Sequence, residues 1–271
     1  MASELTQRIT TELRAMLAAE PDADRLNAAL RLLAKWRALL VTNTLRKALG
    51  QTIPQGPFAG MIYDLPATEG GAAARLLGCY EASLHPVIAA IVDRAPARIV
   101  DIGCAEGYYA VGLARLLPDC AIVARDSDPA AQAACRDLAA RNDVGSRVTI
   151  GGALSPAELD TLCDARTVVI CDIEGAEGAL LDPAKAPALK EVAILVEVHG
   201  TVLLDQIAAR FAESHTITRL DRTATTQSLP AMTEDWSDLD RLLALWEWRS
   251  QPTPWLWMVP HDPAAGHPAT V

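Results

Sequence analysis

The sequence lacks most of the signals that take a chain out of the ordinary soluble class. No apolar run approaches the roughly 20 residues of a membrane span; the best, Val87 to Val92, has six. The N-terminus, MASELTQRITTELRAML, mixes charged with apolar residues and has no unbroken stretch of a secretory signal. There is no N-x-[ST] acceptor. The six cysteines are scattered without a C-x-x-C pair, so neither a zinc site nor a disulfide framework is expected, and a reducing, cytoplasmic location is. Basic residues are in the minority: 24 Lys and Arg against 34 Asp and Glu give a net charge of −10. Nucleic acid is not an expected partner, because phosphate binding needs a basic footprint, and neither is a membrane. The imbalance is uneven. Residues 1–50 hold eight basic against five acidic groups, so this arm carries +3 and the remainder −13.

What is present is a hydrophobic content of 51% over 271 residues, enough to bury a large core without metal or disulfide staples. Residues 1–50 read as a helical arm. Ser3 caps a first helix with Leu5, Ile9, Leu13 and Met16 on one face. Asp22 caps a second with Leu26, Leu30, Leu33, Trp36 and Leu40, and Gly50 stops it. Such stripes need a covering surface, either the rest of the chain or a second copy in a homodimer. Residues 51–95 comprise a Gly- and Pro-rich segment expected to be irregular, then AAARLLGCYEASLHPVIAAIVDR, a helical pattern interrupted by Pro86. Tyr80, Glu81 and His85 lie here as candidates for a substrate pocket, with an amphipathic helix face as the alternative.

From residue 96 to 260 the rhythm changes to strands alternating with helices. The strands are RIVDI, AIVA, RVTI, TVVICDI, VAILVEV, TITRL and PWLWMV; helices are expected over 106–117, 129–141, 156–162, 183–190 and 201–213. Near-continuous apolar strands of this kind build a doubly wound, mostly parallel seven-stranded α/β sheet. Residues 223–253 interrupt the pattern as an insertion or lid before the last strand. Ser237 caps a helix there, with Leu239, Leu242, Leu243 and Trp246 expected inward. Five of the six tryptophans fall between 236 and 257, either as an aromatic lid or as core anchors of the last helix and strand. The tail 261–271 is expected to be loose.

Ligands of open α/β sheets bind beyond the carboxyl ends of the strands, where the strand order reverses. The first strand runs into Asp101-Ile102-Gly103-Cys104-Ala105-Glu106-Gly107. Its two glycines allow a sharp turn and a close approach to a ligand. The spacing is not G-x-G-x-x-G, and an acidic residue before the first glycine suits an ammonium group better than a pyrophosphate. The second strand ends at Asp126, whose carboxylate can accept both ribose hydroxyls. A molecule with an amino acid at one end and a nucleoside at the other fits that edge, and S-adenosylmethionine is such a molecule.

DIGCAEGYYAVGLA, ARDSDP, CDIEGAEGALL and ILVEVHG resemble, in order, the motifs of class I S-adenosylmethionine-dependent methyltransferases, which have a Rossmann-like fold. The nearest resemblance is to the FkbM-type branch. GPFAGMIYD and LLGCYEASLHPVI are similar to segments ahead of the core in that branch, and the resemblance covers residues 56–260. It implies that the loop from Gly103 to Gly107, with Asp101, Cys104, Ala105, Glu106 and Tyr108, cradles the methionine part. Asp126, with Ser127 beside it, binds the ribose. Gly152 to Leu154, with Ala153 between them, border the adenine, and Asp172 sits beside the sulfonium. GGAL departs from the common pattern, having no acidic residue for the adenine amino group; backbone groups or Ser155 stand in. The implied reaction is O-methylation of a natural-product or sugar-like small molecule.

Candidates for proton removal lie where the fourth and fifth strands end: Asp172, Glu174, Glu177, Glu197 and His199. The expectation is His199 as general base, with Glu174 and Glu197 as its catalytic neighbours and Glu197 on the opposite face of the strand. Glu174 and Glu177 also read as solvated carboxylates at a helix start. No metal is expected, the alternative being a divalent cation held by Asp172, Glu174, Glu197 and His199. Other readings are an enzyme using the same cofactor for cyclisation or aminocarboxypropyl transfer, or a non-catalytic cofactor-binding scaffold.

Overall fold

The computed structural model describes residues 3–18, 20, 22–64, 71–222, 229, 231–249 and 253–261. The loose tail expected over 261–271 therefore lies, but for His261, outside the described residues, as do 65–70 of the linker and parts of the 223–253 insertion.

Two helices open the chain. The Ser3 hydroxyl accepts from the Thr6 N–H at 3.2 Å to start α1 (Glu4–Leu17), and Asp22 accepts from the Arg25 N–H at 2.9 Å to start α2 (Ala23–Leu49). Leu5, Ile9, Leu13 and Met16 are half-buried against α2. The stripe expected on α2 holds only in part: Trp36 and Leu40 are half-buried, but Leu26, Leu30 and Leu33 are exposed, and the residues α2 buries are Ala29, Ala38, Val41, Thr42 and Leu45. The reason lies in what packs beside it. Val41 and Leu45 meet Leu76 and Leu77 of α3 (Ala72–Leu77) and Ala244 of a later helix in a small separate core.

The segment 51–64 is irregular as expected, with turns and one isolated bridge between Thr52 and Ile62, but it packs into the core. The Ile53 N–H donates to the Met61 carbonyl at 2.9 Å, and Phe58, Met61 and Tyr63 are buried. Phe58 stands edge-on to Tyr108 with ring centroids 5.1 Å apart. The next helix breaks at Gly78, which caps α3 in the left-handed conformation, and not at Pro86. Pro86 lies in the first turn of α4 (His85–Asp93), where its missing N–H has no helical partner to lose.

The core follows as β1 (Arg98–Ile102), α5 (Tyr108–Leu116), β2 (Ala121–Arg125), α6 (Pro129–Arg141), β3 (Val148–Gly151), α7 (Pro156–Leu162), β4 (Thr167–Cys171), α8 (Glu177–Leu180), β5 (Ala193–Glu197), α9 (Thr201–Phe211), β6 (His215–Leu220), α10 (Asp238–Ala244) and β7 (Trp255–Pro260). The sheet order is β3-β2-β1-β4-β5-β7-β6, parallel except for β7, which runs antiparallel to both neighbours. This is the doubly wound seven-stranded sheet expected from the apolar runs. The helix expected over 183–190 is replaced by the short α8 and a 3-10 turn at Pro187–Lys190, because Pro183 and Pro187 deny that stretch two backbone donors.

One hydrophobic layer packs α4, α5, α6 and the 53–63 segment on one face of the sheet; the other packs α7, α8 and α9 on the opposite face. In α10 the expected inward set is half right. Leu243 is buried and Trp246 half-buried, but Leu239 and Leu242 are exposed. Arg37 forks onto Asp240 through two bonds of 2.6 Å, which turns that side of α10 to α2 and the two leucines outward. Among the described residues no helix is long and apolar enough to cross a membrane.

Leu45 is fully buried between the arm and α3. Leu45→Ala is expected to cost about 2–5 kcal/mol, read as a lowered urea midpoint. Leu30→Ala, on the exposed face, is expected to change stability by less than about 0.5 kcal/mol. A weaker self-association of Leu30→Ala in sedimentation would show that two copies share this face.

Candidate active site

The strand order reverses between β1 and β4, and the cleft opens there. After β1 the chain turns through Gly103 (φ 82°), Ala105 (φ 46°) and Gly107 (φ 93°) into α5. A Cβ on Gly103 would collide with the Asp172 carbonyl oxygen, and one on Gly107 would lie 2.7 Å from the Cys135 sulfur. Glycine is required at both. Ala105 holds a left-handed conformation that costs a non-glycine residue of order 1 kcal/mol. Asp126 offsets it: its Oδ2 accepts from the Ala105 N–H at 2.9 Å, and its Oδ1 from the Asp128 N–H at 2.8 Å.

The main cleft encloses about 540 Å³, and its wall includes Gly103, Asp126, Ser127, Ala153, Leu154 and Asp172. A narrower cavity of about 30 Å³ lies behind the glycine turn and shares Gly103 and Asp172 with the first. Asp101, Cys104, Ala105, Glu106 and Tyr108 all belong to its wall, as do Tyr80 and Glu81 from the pre-core segment. His85 lines neither cavity. The Glu106 side chain is fully buried; it accepts from the Tyr63 hydroxyl at 2.6 Å and pairs with Arg75 at 3.3 Å. Ser155 is engaged in a capping box with Glu158 at the start of α7, so its hydroxyl serves the helix.

At the ends of β4 and β5 the side chains converge on His199. Its Nδ1 lies 2.9 Å from Glu177 Oε1, and its Nε2 lies 3.3 Å from Glu174, 3.9 Å from Asp172 and 4.0 Å from Glu197. Glu177 is fully buried and also accepts from the Gly175 N–H at 3.0 Å, so it is not the solvated helix-start group that its position suggests. Glu174 is one, with 72% of its side chain exposed, although its Oε2 reaches His199. The hydrogen bond to Glu177 raises the His199 pKa above the ordinary imidazole value. Burial alone would raise Glu177, but the bond to His199 and the loop N–H groups outweigh it and hold Glu177 below the usual carboxylate range. Asp172 is pushed up to about 10 by burial and by Glu197 beside it.

Glu197 is anchored elsewhere. Arg249 and the Thr253 hydroxyl both bond its Oε1, and Arg249 also reaches Glu81, which in turn accepts from the Tyr109 hydroxyl. Burial raises Glu81 to about 7 against the pull of Arg249. Asp172, Glu174 and His199 each offer one ligand atom within 4.8 Å of the others, enough to hold a divalent cation; Glu197 is outside that trio. The tryptophans divide. Trp255 and Trp257 are buried in β7, while Trp246 and Trp248 stack at 4.1 Å with Lys35 of α2 over Trp248.

Sequence reasoning placed Glu177 among the candidate acids but did not pair it with His199, and it missed Arg75 and Arg249. The D-x-E-G-A-E spacing carried a signal for Glu177, because a Gly-containing turn can fold the second glutamate back under the strand end. Neither arginine had one.

No family model matches the chain, and no curated protein does. Solved structures similar to it include the SAH-bound methyltransferase of Podospora anserina, with 16% identity, 97% of each chain covered and a TM-score of 0.45. The O-methyltransferase of Bacillus cereus in complex with SAH has 14% identity, covers 93% of this chain and 100% of its own, and has a TM-score of 0.42. A human methyltransferase 10 domain containing protein has 12% identity, with 83% and 97% covered and a TM-score of 0.49.

The His199–Glu177 pair fixes a sign that titration can read. The His199 contribution to stability is full below the unfolded imidazole pKa and is lost as pH rises through the raised folded value. The Glu177 contribution is present above the unfolded carboxylate value and is lost as pH falls through the depressed one. Glu177→Gln is therefore expected to lower the His199 pKa, measured by NMR titration of the ring protons. An unchanged value would break the pairing.

Proposed function

We propose that the protein is an S-adenosylmethionine-dependent methyltransferase that methylates a hydroxyl of a natural-product or sugar-like small molecule, and that it works in the cytoplasm. The observation that carries the reading is the Glu177–His199 pair: neither residue is part of the cleft wall, but His199 Nε2 lies 3.3 Å from Glu174 and 3.9 Å from Asp172, which are. The residues suit the cofactor. The cleft wall is acidic, which favours a cationic ligand, and Asp126 stands at the end of β2 where ribose hydroxyls are accepted in this fold class. When bound, S-adenosylmethionine supplies an electrophilic methyl group on a sulfonium that leaves as a thioether. The chain aligns the acceptor and takes its proton. Neutral His199 accepts that proton at Nε2, the nitrogen not bonded to Glu177, and Glu177 holds the tautomer and stabilises the imidazolium that results. Glu177 is a positioning residue in this scheme, because it acts through His199.

The trio of Asp172, Glu174 and His199 supports a second reading, in which a divalent cation orients the acceptor oxygen. The exposed Leu26, Leu30 and Leu33 support self-association through the arm.

The test is incubation with S-adenosylmethionine and a panel of hydroxylated acceptors. Release of S-adenosylhomocysteine is expected; release of methylthioadenosine would mean cyclisation or aminocarboxypropyl transfer, and tight binding without turnover a scaffold. His199→Ala is expected to lower turnover about 10²-fold with cofactor affinity nearly intact. The wild-type rate should rise with pH through the raised His199 pKa, and Glu177→Gln should move that limb to lower pH. EDTA should abolish activity only if the cation reading holds. Asp126→Ala should weaken cofactor binding by about 1–3 kcal/mol in calorimetric titration.

A further inference from the structure

The narrow cavity behind the glycine turn is walled by buried polar groups that proton removal does not use. Asp101 Oδ2, the Tyr108 hydroxyl and Trp255 Nε1 have no hydrogen-bond partner, and each belongs to a residue less than 5% exposed. All three residues line the same cavity. A buried polar group without a partner is destabilising, so three around one small space mark a place where a ligand completes the bonding. Arg75 of α3 closes the wall. It is buried, its guanidinium lies 4.0 Å over the Tyr80 ring, and its Nε is 3.3 Å from Glu106.

The chemistry of this wall is two-sided. Tyr108 and Trp255 offer an O–H and an N–H, and Arg75 adds a fixed positive charge. Asp101 offers a carboxyl raised by burial to about 7, which a neighbouring cation would draw back to its ionised form. Of the four acids in the wall, Glu106 is paired with Arg75, Glu81 with Arg249, and Asp172 is shared with the main cleft, which leaves Asp101 as the inner acid facing two neutral donors and the Arg75 guanidinium. That arrangement is the complement of a zwitterion, with an ammonium and a carboxylate on adjacent atoms. At about 30 Å³ the space suits a small polar terminus and not a ring, and it joins the main cleft at Gly103 and Asp172. We propose that Arg75, with the Tyr108 hydroxyl and the Trp255 indole N–H, forms the carboxylate-binding end of the cofactor site, opposite Asp101. This rests on S-adenosylmethionine being the cofactor. It assigns the terminal contact to a pre-core helix and the last strand, both outside the glycine loop.

The test compares S-adenosylmethionine with its decarboxylated analogue by calorimetric titration of the full-length protein. The wild type is expected to bind the analogue about 10- to 100-fold more weakly, the loss of a charge-assisted contact. Arg75→Met should abolish that discrimination. Tyr108→Phe, which removes one oxygen that has no protein partner, should narrow it and leave the fold intact. An Arg75→Met variant that weakens both ligands by the same factor would make Arg75 a packing residue and overturn the assignment. So would a wild type that binds the two alike, or a Tyr108→Phe ratio equal to that of the wild type. If Arg75→Met does not fold, Tyr108→Phe and Trp255→Phe decide the matter on the same ratio. A wild type that binds neither ligand would strike the cofactor reading itself, a different failure from loss of discrimination alone.

Discussion

The cleft depends on how closely β1 and β4 approach at their carboxyl ends. The Asp172 N–H donates to the Ile102 carbonyl at 2.9 Å, and the Asp172 carbonyl oxygen fills the space a side chain on residue 103 would need. On the other side the N–H groups of Gly103 and Cys104 both donate to the Arg125 carbonyl, at 2.8 and 3.0 Å. The glycine turn is thus pinned to β2 and to β4 at once, and Asp126 holds its strained residue, Ala105. A loop fixed in this way costs little further ordering when a ligand arrives.

Charge is the second constraint, because the site buries more acid than base. The buried charges are matched locally: Glu177 by His199, Glu106 by Arg75, and Glu81 and Glu197 by Arg249. Removing one partner from such a pair leaves a buried charge uncompensated, at a cost of about 3–5 kcal/mol. Asp101 and Asp172 are raised instead, the first by its burial, the second by burial and by Glu197 at its side. Both line the narrow cavity, and Asp172 lines the main cleft as well, so the acids without a cationic partner stand where a cationic ligand would draw them back to the ionised form.

The sheet was legible in the sequence because buried parallel strands must be apolar, and the residues ending them must turn toward the ligand edge. That logic brought Asp126, Asp172, Glu197 and His199 to one side of the molecule. It did not distinguish the acids from one another. Glu174, Glu177 and Glu197 are equally polar and equally near a strand end, and only the left-handed dihedrals at Glu174 (φ 55°) and Gly175 (φ 106°) fold Glu177 under His199. The arm failed for a related reason. α2 has two apolar faces, and periodicity cannot say which is covered; the fork from Arg37 to Asp240 and the small core around Leu45 decide it. Arg249 lies in an insertion with no periodic pattern, and its partners are 52 and 168 residues away in the chain.

Those distant contacts divide the two sides of the cleft by origin. The Asp126 side is built by the sheet edge alone, from Asp126, Ser127 and the loop after β3. The His199 side leans on the arm and the insertion. Arg37 holds α10, Lys35 lies over Trp248, Trp248 stacks on Trp246, and Glu247 accepts from the Glu81 N–H at 3.0 Å. Arg249 then reaches Glu197, whose other oxygen is 4.0 Å from His199. This run of packed and paired groups connects α2 to the surroundings of His199. Changes in the arm or insertion can therefore reach the His199 side of the cleft without touching the sheet edge that carries Asp126.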